Sequence, residues 1–264
     1  MAPLKTALIT GASSGIGATF ARHLAQRGVH LILVARRADR LEELRQKLEA
    51  DDRIRCEVLV ADLATDAGVA LVVARIQAEP ALDYLINNAG FGTRGRFFDG
   101  GVEQQEAMHR LHIMATLLLT HAALRNMVAR RAGSVINVAS VAGFAMSAGS
   151  TSYNATKHWM NVFSEGLYLE LQQTGSPVKM QALCPGYTYS EFHDAAGMDR
   201  AVIPGHLWLD ADRVVAESLR ALDTGQLFVV PGWRYRWFVR LYPHLPRFIR
   251  HRVAIKAGQR MKRV

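Results

Sequence analysis

Of the seven tyrosines in the chain, only Tyr153 is followed four residues later by a lysine, Lys157. That spacing puts both side chains on one face of a helix, and Ser152-Tyr153-Asn154-Ala155-Thr156-Lys157 opens a long amphipathic stretch. Tyrosine is a poor acid near neutrality, with an ordinary pKa of about 10, but a nearby ammonium favours the phenolate and lowers that value. Such a tyrosine can pass a proton to a carbonyl oxygen as hydride arrives at the carbon. Alone the pair is weak evidence. Ser140, thirteen residues earlier and just past a strand-like run, makes it more specific.

A second set of residues points to the source of hydride. Thr10-Gly11-Ala12-Ser13-Ser14-Gly15-Ile16-Gly17 follows an apolar run and leads into a helical pattern at Ala18. Glycines allow a tight turn and close approach to a pyrophosphate, and the free N–H groups and dipole of a helix start favour its charge. The spacing is G-x3-G-x-G rather than G-x-G-x-x-G. After the second apolar run, Leu33-Val34-Ala35 meets Arg36-Arg37, where an NAD-selective site would place an acid for the ribose hydroxyls. Two guanidiniums suit a 2′-phosphate instead, so the expectation is NADP(H) over NAD(H). Asp39 falls too late to hold the ribose and suits the start of the next helix.

These residues need rigid elements behind them. Aliphatic and β-branched runs alternate with amphipathic stretches, the pattern of βαβ units and a mostly parallel sheet. Strands are predicted at Thr6–Thr10, Leu31–Ala35, Ile54–Val60, Tyr84–Asn87, Val135–Ala139, Lys179–Cys184 and Leu227–Val230. A helix is predicted over Arg40–Ala50, where Glu43 and Lys47 stand in the favourable order. Residues 1–230 read as one domain without a linker. Within it, residues 186–210 lack steady periodicity and read as a functional loop.

Composition narrows the class further. Half the 264 residues are hydrophobic and 21% are charged, which excludes disorder and collagen-like repeats. Cys56 and Cys184 form neither a disulfide framework nor a metal motif, so no metal is expected. With no signal peptide pattern and no spanning apolar run, the expected location is cytoplasmic. The formal charge of +9 is unevenly placed. Residues 231–264 hold eight Arg and two Lys with no acid, so they carry +10 and the preceding 230 residues carry −1.

The ordered motifs resemble the short-chain dehydrogenase/reductase family from Lys5 to about Val230. They are the turn from Thr10 to Gly17, Asp62-Leu63 after the third strand, Asn87-Asn88-Ala89-Gly90 after the fourth, Ser140, Tyr153 with Lys157, and Pro185-Gly186 after the sixth. The resemblance implies a three-layer, doubly wound Rossmann-type α/β fold with a seven-stranded parallel sheet. It places Asp62 and Leu63 near the adenine, Asn88, Ala89 and Gly90 beside the adenosine ribose, and Pro185, Gly186 and Thr188 near the nicotinamide. Tyr153 then exchanges the proton, Ser140 holds the substrate oxygen, and Lys157 also bonds the nicotinamide ribose. A homodimer or homotetramer is implied, through the helices carrying Leu111 to Arg130 and Ser152 to Gln172.

One position departs from the pattern. His112 stands where the family usually has an Asn that helps hold a water behind the lysine. Because that Asn acts largely through a backbone carbonyl at a helix irregularity, His112 can keep the relay, either as a titrating participant or as a core histidine.

Walls for a lipophilic ketone or aldehyde are expected from Phe91 to Arg96, Val141 to Met146 and Tyr187 to Leu209. Candidate side chains are Phe144, Met146, Phe192, Met198, Val202, Ile203, Leu207 and Trp208. Arg94 and Arg96 suit either binding of an anionic handle, such as a carrier-protein phosphopantetheine, or a solvated surface, and His193 and His206 have no metal spacing. The tail from Trp233 mixes aromatics with Arg, and Pro243 and Pro246 interrupt any continuous helix. It suits packing on the body or a partner subunit, or peripheral contact with an anionic membrane, better than nucleic acid. The sequence therefore reads as an NADPH-dependent carbonyl reductase. The alternative is an NADP(H)-binding regulatory or scaffolding protein with little turnover.

Overall fold

The computed structural model describes residues 5–52, 54–192, 200 and 203–260. Seven parallel strands form one sheet in the order β3-β2-β1-β4-β5-β6-β7. They are β1 (Thr6–Thr10), β2 (His30–Ala35), β3 (Cys56–Val60), β4 (Leu82–Asn87), β5 (Ser134–Val138), β6 (Lys179–Leu183) and β7 (Phe228–Val229). The predicted strands are all present, with ends that differ by up to two residues. Successive side chains point to opposite faces, and both faces are covered, so the strands are apolar throughout rather than alternating.

Ala7, Ile9, Leu31, Leu33, Ile86 and Ile136 belong to one core. Against it lie α1 (Gly15–Ala25), α2 (Ala38–Asp52) and α7 (Ala211–Asp223), through residues such as Phe20, Leu41 and Val215. Leu8, Ile32, Val34, Leu85 and Val135 build the core on the other face. There α3 (Asp66–Gln77), α5 (Thr116–Ala129) and α6 (Thr151–Gln173) cover the sheet with Val72, Leu119 and Leu171. The result is the three-layer Rossmann-type arrangement. Helix α2 runs beyond its predicted ends, with Asp39 in its first turn and a 2.8 Å ion pair from Lys47 to Glu43.

Strand order reverses between β1 and β4, which opens a crevice at the carboxyl ends of the strands. Helix α4 (Val102–His109) reaches α5 through a π-helical segment, Arg110–Ala115. After β7 the chain forms α8 (Trp233–Leu241), a 3-10 turn (Tyr242–His244) and α9 (Arg247–Arg260). Among the described residues, no helix is long and apolar enough to cross a membrane.

Candidate active site

The crevice is a cavity of about 760 Å³ with the glycine turn at one end and the Tyr153 face of α6 at the other. At Gly11 the backbone has φ +65°, and a Cβ would lie 2.8 Å from Ala89 Cα, so a side chain is excluded by conformation and by contact. Asn88 fastens this turn to β4, its side-chain amide donating to Thr10 O at 2.9 Å and Gly11 O at 3.2 Å. The Thr10 hydroxyl accepts from the N–H groups of Asn88 and Ala89 at 2.9 and 3.0 Å. Ser14 caps α1 without a side-chain bond to the helix. Ser13, Ser14, Gly15 and Ile16 line the cavity at this helix start, while Gly17 packs tightly against Gly11 O.

Arg36 and Arg37 line the cavity past the end of β2. The Arg37 guanidinium donates to Ser13 Oγ at 3.0 Å and pairs with Glu191 at 2.9 Å. Asp62, Leu63, Asn88, Ala89 and Gly90 line the same wall. Asp62 is held in place by the Ala64 N–H, which donates to its Oδ1 at 3.0 Å. Pro185, Gly186 and Thr188 border the other side. Glycines at a helix start whose N–H groups take no side-chain cap bond, with guanidiniums beyond, fit a dinucleotide cofactor.

At the far end, Tyr153, Ser140 and Lys157 are brought together. Loss of water around the Tyr153 phenol pushes its pKa up to about 12, opposed by a hydrogen bond with Ser140. The expected lowering by lysine is therefore absent in this state. Lys157 is buried, and its ammonium turns toward β5 and donates to Val138 O at 2.8 Å. Burial also brings its pKa down to about 7. The Ser140 Oγ accepts from the Ala142 N–H at 3.1 Å.

His112 lies within the π-helical segment and is fully buried. The Thr156 hydroxyl donates to Tyr153 O at 2.9 Å, so it must accept from His112 Nδ1–H, also at 2.9 Å. Nε2 then carries the lone pair. It is buried without a hydrogen-bond partner among the described residues, and it lies 2.6 Å from where a Gly90 Cβ would stand. Burial, with Lys157 and His109 nearby, holds the imidazole well below its usual pKa. His112 is neutral at pH 7, which removes the reading of a group that titrates there.

Several expected wall residues are in place: Phe91 to Arg94, Val141, Ala142, Ala145, Met146, Phe192 and Leu207. Phe144 instead packs against Phe228, and Trp208 stacks on Tyr189. Neither these two nor Ile203 line the cavity. His193, Met198 and Val202 fall outside the described residues. Three lining residues come from the tail and were missed by sequence reasoning: Arg234, Tyr235 and Phe238. The signal available for them was the aromatic run after β7, which carries no mark of where it folds back. The Tyr235 ring fills the space a Gly186 Cβ would need, at 2.1 Å. Its hydroxyl donates to Leu207 O at 2.7 Å and accepts from the Tyr187 N–H at 3.1 Å.

A family model described as short chain dehydrogenase matches residues 5–201. The chain belongs to the short-chain dehydrogenase family. An uncharacterized oxidoreductase of Staphylococcus saprophyticus is 34% identical over 183 residues, which span 69% of this chain and 77% of that protein. Among solved structures, a short-chain dehydrogenase from Sphingobium yanoikuyae in complex with NADPH is 36% identical with a TM-score of 0.84, covering 91% of this chain and 94% of that one. A bulky-bulky ketone specific alcohol dehydrogenase from Comamonas testosteroni is 31% identical with a TM-score of 0.78, covering 92% and 96%. A short chain dehydrogenase/reductase from Burkholderia phymatum in complex with NAD is 25% identical with a TM-score of 0.81, covering 91% and 93%. This short-chain dehydrogenase is thus an oxidoreductase with a nucleotide-binding crevice.

Proposed function

We propose that this short-chain dehydrogenase is an NADP(H)-dependent carbonyl reductase for bulky, lipophilic ketones or aldehydes, reversible as an alcohol dehydrogenase. The reading rests on one arrangement: guanidiniums at one end of a single cavity and a tyrosine with a serine at its other, largely apolar end. Gly11 to Gly17 hold the pyrophosphate, Arg36 and Arg37 the 2′-phosphate, and Asp62 and Leu63 the adenine. Asn88 to Gly90 border the adenosine ribose, and Pro185, Gly186 and Thr188 border the nicotinamide. The cofactor supplies or accepts hydride when bound.

Ser140 orients the substrate oxygen beside Tyr153. With its pKa near 12, Tyr153 is protonated at neutral pH and serves as the acid in reduction. Lys157, its Nζ 5.8 Å from the centre of the Tyr153 ring, would exchange Val138 O for the nicotinamide ribose when the cofactor binds. Residues 1–230 carry the chemistry with 186–210 as substrate loop, and Arg234, Tyr235 and Phe238 of the extension that follows complete the pocket. Exposed Met114, Leu118, Val162 and Leu169 support self-association through the π-helical segment, α5 and α6.

A panel of ketones and aldehydes with NADPH and NADH, followed by loss of reduced-cofactor absorbance, tests the activity. NADPH with bulky apolar ketones should give the highest kcat/KM. Tyr153→Phe should lower it by about 10² to 10⁴ while NADPH still binds. Full activity of that variant would contradict the assignment, and no turnover by the unaltered enzyme across the panel would favour a binding role.

A further inference from the structure

Helix α8 places its residues in an unusual order. Tyr235 and Val239 face the body together with Tyr242 just beyond the helix, and Tyr235 and Tyr242 are buried. A helix packed in this way presents charged side chains on its outer face. Here the outer face carries Trp233, Trp237 and Leu241, spaced four apart and exposed to 55%, 54% and 55%. Arg236 and Arg240 flank the stripe, and Arg234 stacks over the Trp233 ring at 4.6 Å. Leu245 in the following turn and Phe248 on α9 are exposed at 38% and 61%.

The charge around these side chains has one sign. Residues 231–264 contain ten Lys and Arg and no Asp or Glu. Within the stretch, the one described ion pair runs to the body, from Arg236 to Glu217 at 3.3 Å. A face meant to pair with a second copy of itself would bring these like charges together. Exposed Trp among Arg suits the headgroup boundary of a bilayer, where the ring is half buried and the guanidiniums meet anionic lipid.

The surface is fixed relative to the pocket. Tyr235 is hydrogen-bonded to residues 187 and 207, and α9 packs on the loop before α6, where a Gly258 Cβ would lie 2.5 Å from Ala148 O. On α8, Arg234 and Phe238 stand between the outer stripe and the buried side, and both line the cavity. We infer that the outer face of α8, with Leu245 and Phe248, is a docking surface for an anionic lipid bilayer that brings the cavity mouth beside the membrane. The surface stands on different observations from those that carry the catalytic reading.

Flotation of the full chain with vesicles tests it. The chain should float with phosphatidylcholine vesicles containing about one quarter phosphatidylglycerol, and much less with pure phosphatidylcholine. Raising salt from about 0.1 M to about 1 M shortens the screening length from ~10 Å to ~3 Å and should release it. Trp237→Ser with Leu241→Ser should abolish flotation. Arg240→Gln with Arg247→Gln should weaken it by about fivefold for each cation removed. None of these four side chains lines the cavity, so ketone turnover in detergent-free buffer should persist and serves as the check on folding. Equal binding to neutral vesicles, or flotation unchanged in both variants, would overturn the inference. So would a dimer seen by light scattering that the Trp237 and Leu241 substitutions dissociate, with no vesicle binding.

Discussion

Arg37 has two calls on it. In the crevice it pairs with Glu191, and that pairing holds the Glu191 carboxyl below its usual range. Under the proposed NADP(H) reading, a 2′-phosphate bound there would be a stronger, forked acceptor and would displace the carboxylate. Glu191→Gln should therefore tighten NADPH by about two- to fivefold, the worth of an exposed pair, and leave NADH unchanged. Fluorescence titration with both cofactors measures this, and equal tightening of the two would show that Glu191 acts elsewhere. His112 makes a different prediction. Its folded pKa lies below the unfolded value of about 6.5, so below that pH the unfolded chain binds a proton the folded chain refuses. Stability on this account is full at neutral pH and falls on acidification, by up to ~1.4 kcal/mol per pH unit. His112→Asn should flatten the decline, read by urea denaturation at about pH 7.5 and about pH 5.5, while keeping reductase activity. A variant that denatures with the same pH slope as the parent would remove His112 from the account.

At the level of elements, the sheet was legible because a strand covered on both faces has to be apolar along its length, as in Leu31 to Val34. The glycine turn and the Tyr153 face of α6 were legible for a related reason: each is a local pattern whose chemistry depends on neighbours in sequence. The polar seam across the sheet was not. Asn87 donates to Thr120 Oγ1 and Asn137 Oδ1, each at 2.9 Å, and Asn137 donates to Ser164 Oγ at 3.0 Å. These four residues come from β4, α5, β5 and α6, and only the register that sets Asn87 beside Asn137 brings them together. Equally hidden was the direction of Lys157, because the carbonyl it chooses lies nineteen residues away. Asn137→Ala removes the central link and takes one partner each from the buried Asn87 amide and Ser164 hydroxyl, at a cost of about 1–3 kcal/mol. Chemical denaturation should show that loss with an unchanged urea slope, whereas a loss below about 0.5 kcal/mol would mean the seam is hydrated.

For the molecule as a whole, the divided charge invited a division of labour between a near-neutral body and a basic appendage. Tyr235 joins the two. It stands in the basic segment, yet its ring occupies the space over Gly186 and its hydroxyl links Tyr187 to Leu207. Burial pushes this phenol up to about 12, so it stays protonated and donates to Leu207 O throughout the working pH range. Tyr235→Phe keeps the ring that packs on Gly186 and removes only the bridge. The Tyr187 N–H and Leu207 carbonyl lose that partner, and the loop end that walls the apolar side of the cavity is held less firmly. Because the bridge acts on the pocket wall rather than on Tyr153, the expected effect is a severalfold rise in KM for a bulky ketone with kcat little changed. The Kd for NADPH should move less than the ketone KM, since Arg36, Arg37 and the glycine turn lie at the other end of the cavity. If kcat fell and KM held, Tyr235 would be acting on the chemical step, and the tail would belong to the catalytic machinery itself rather than to the wall that selects the substrate.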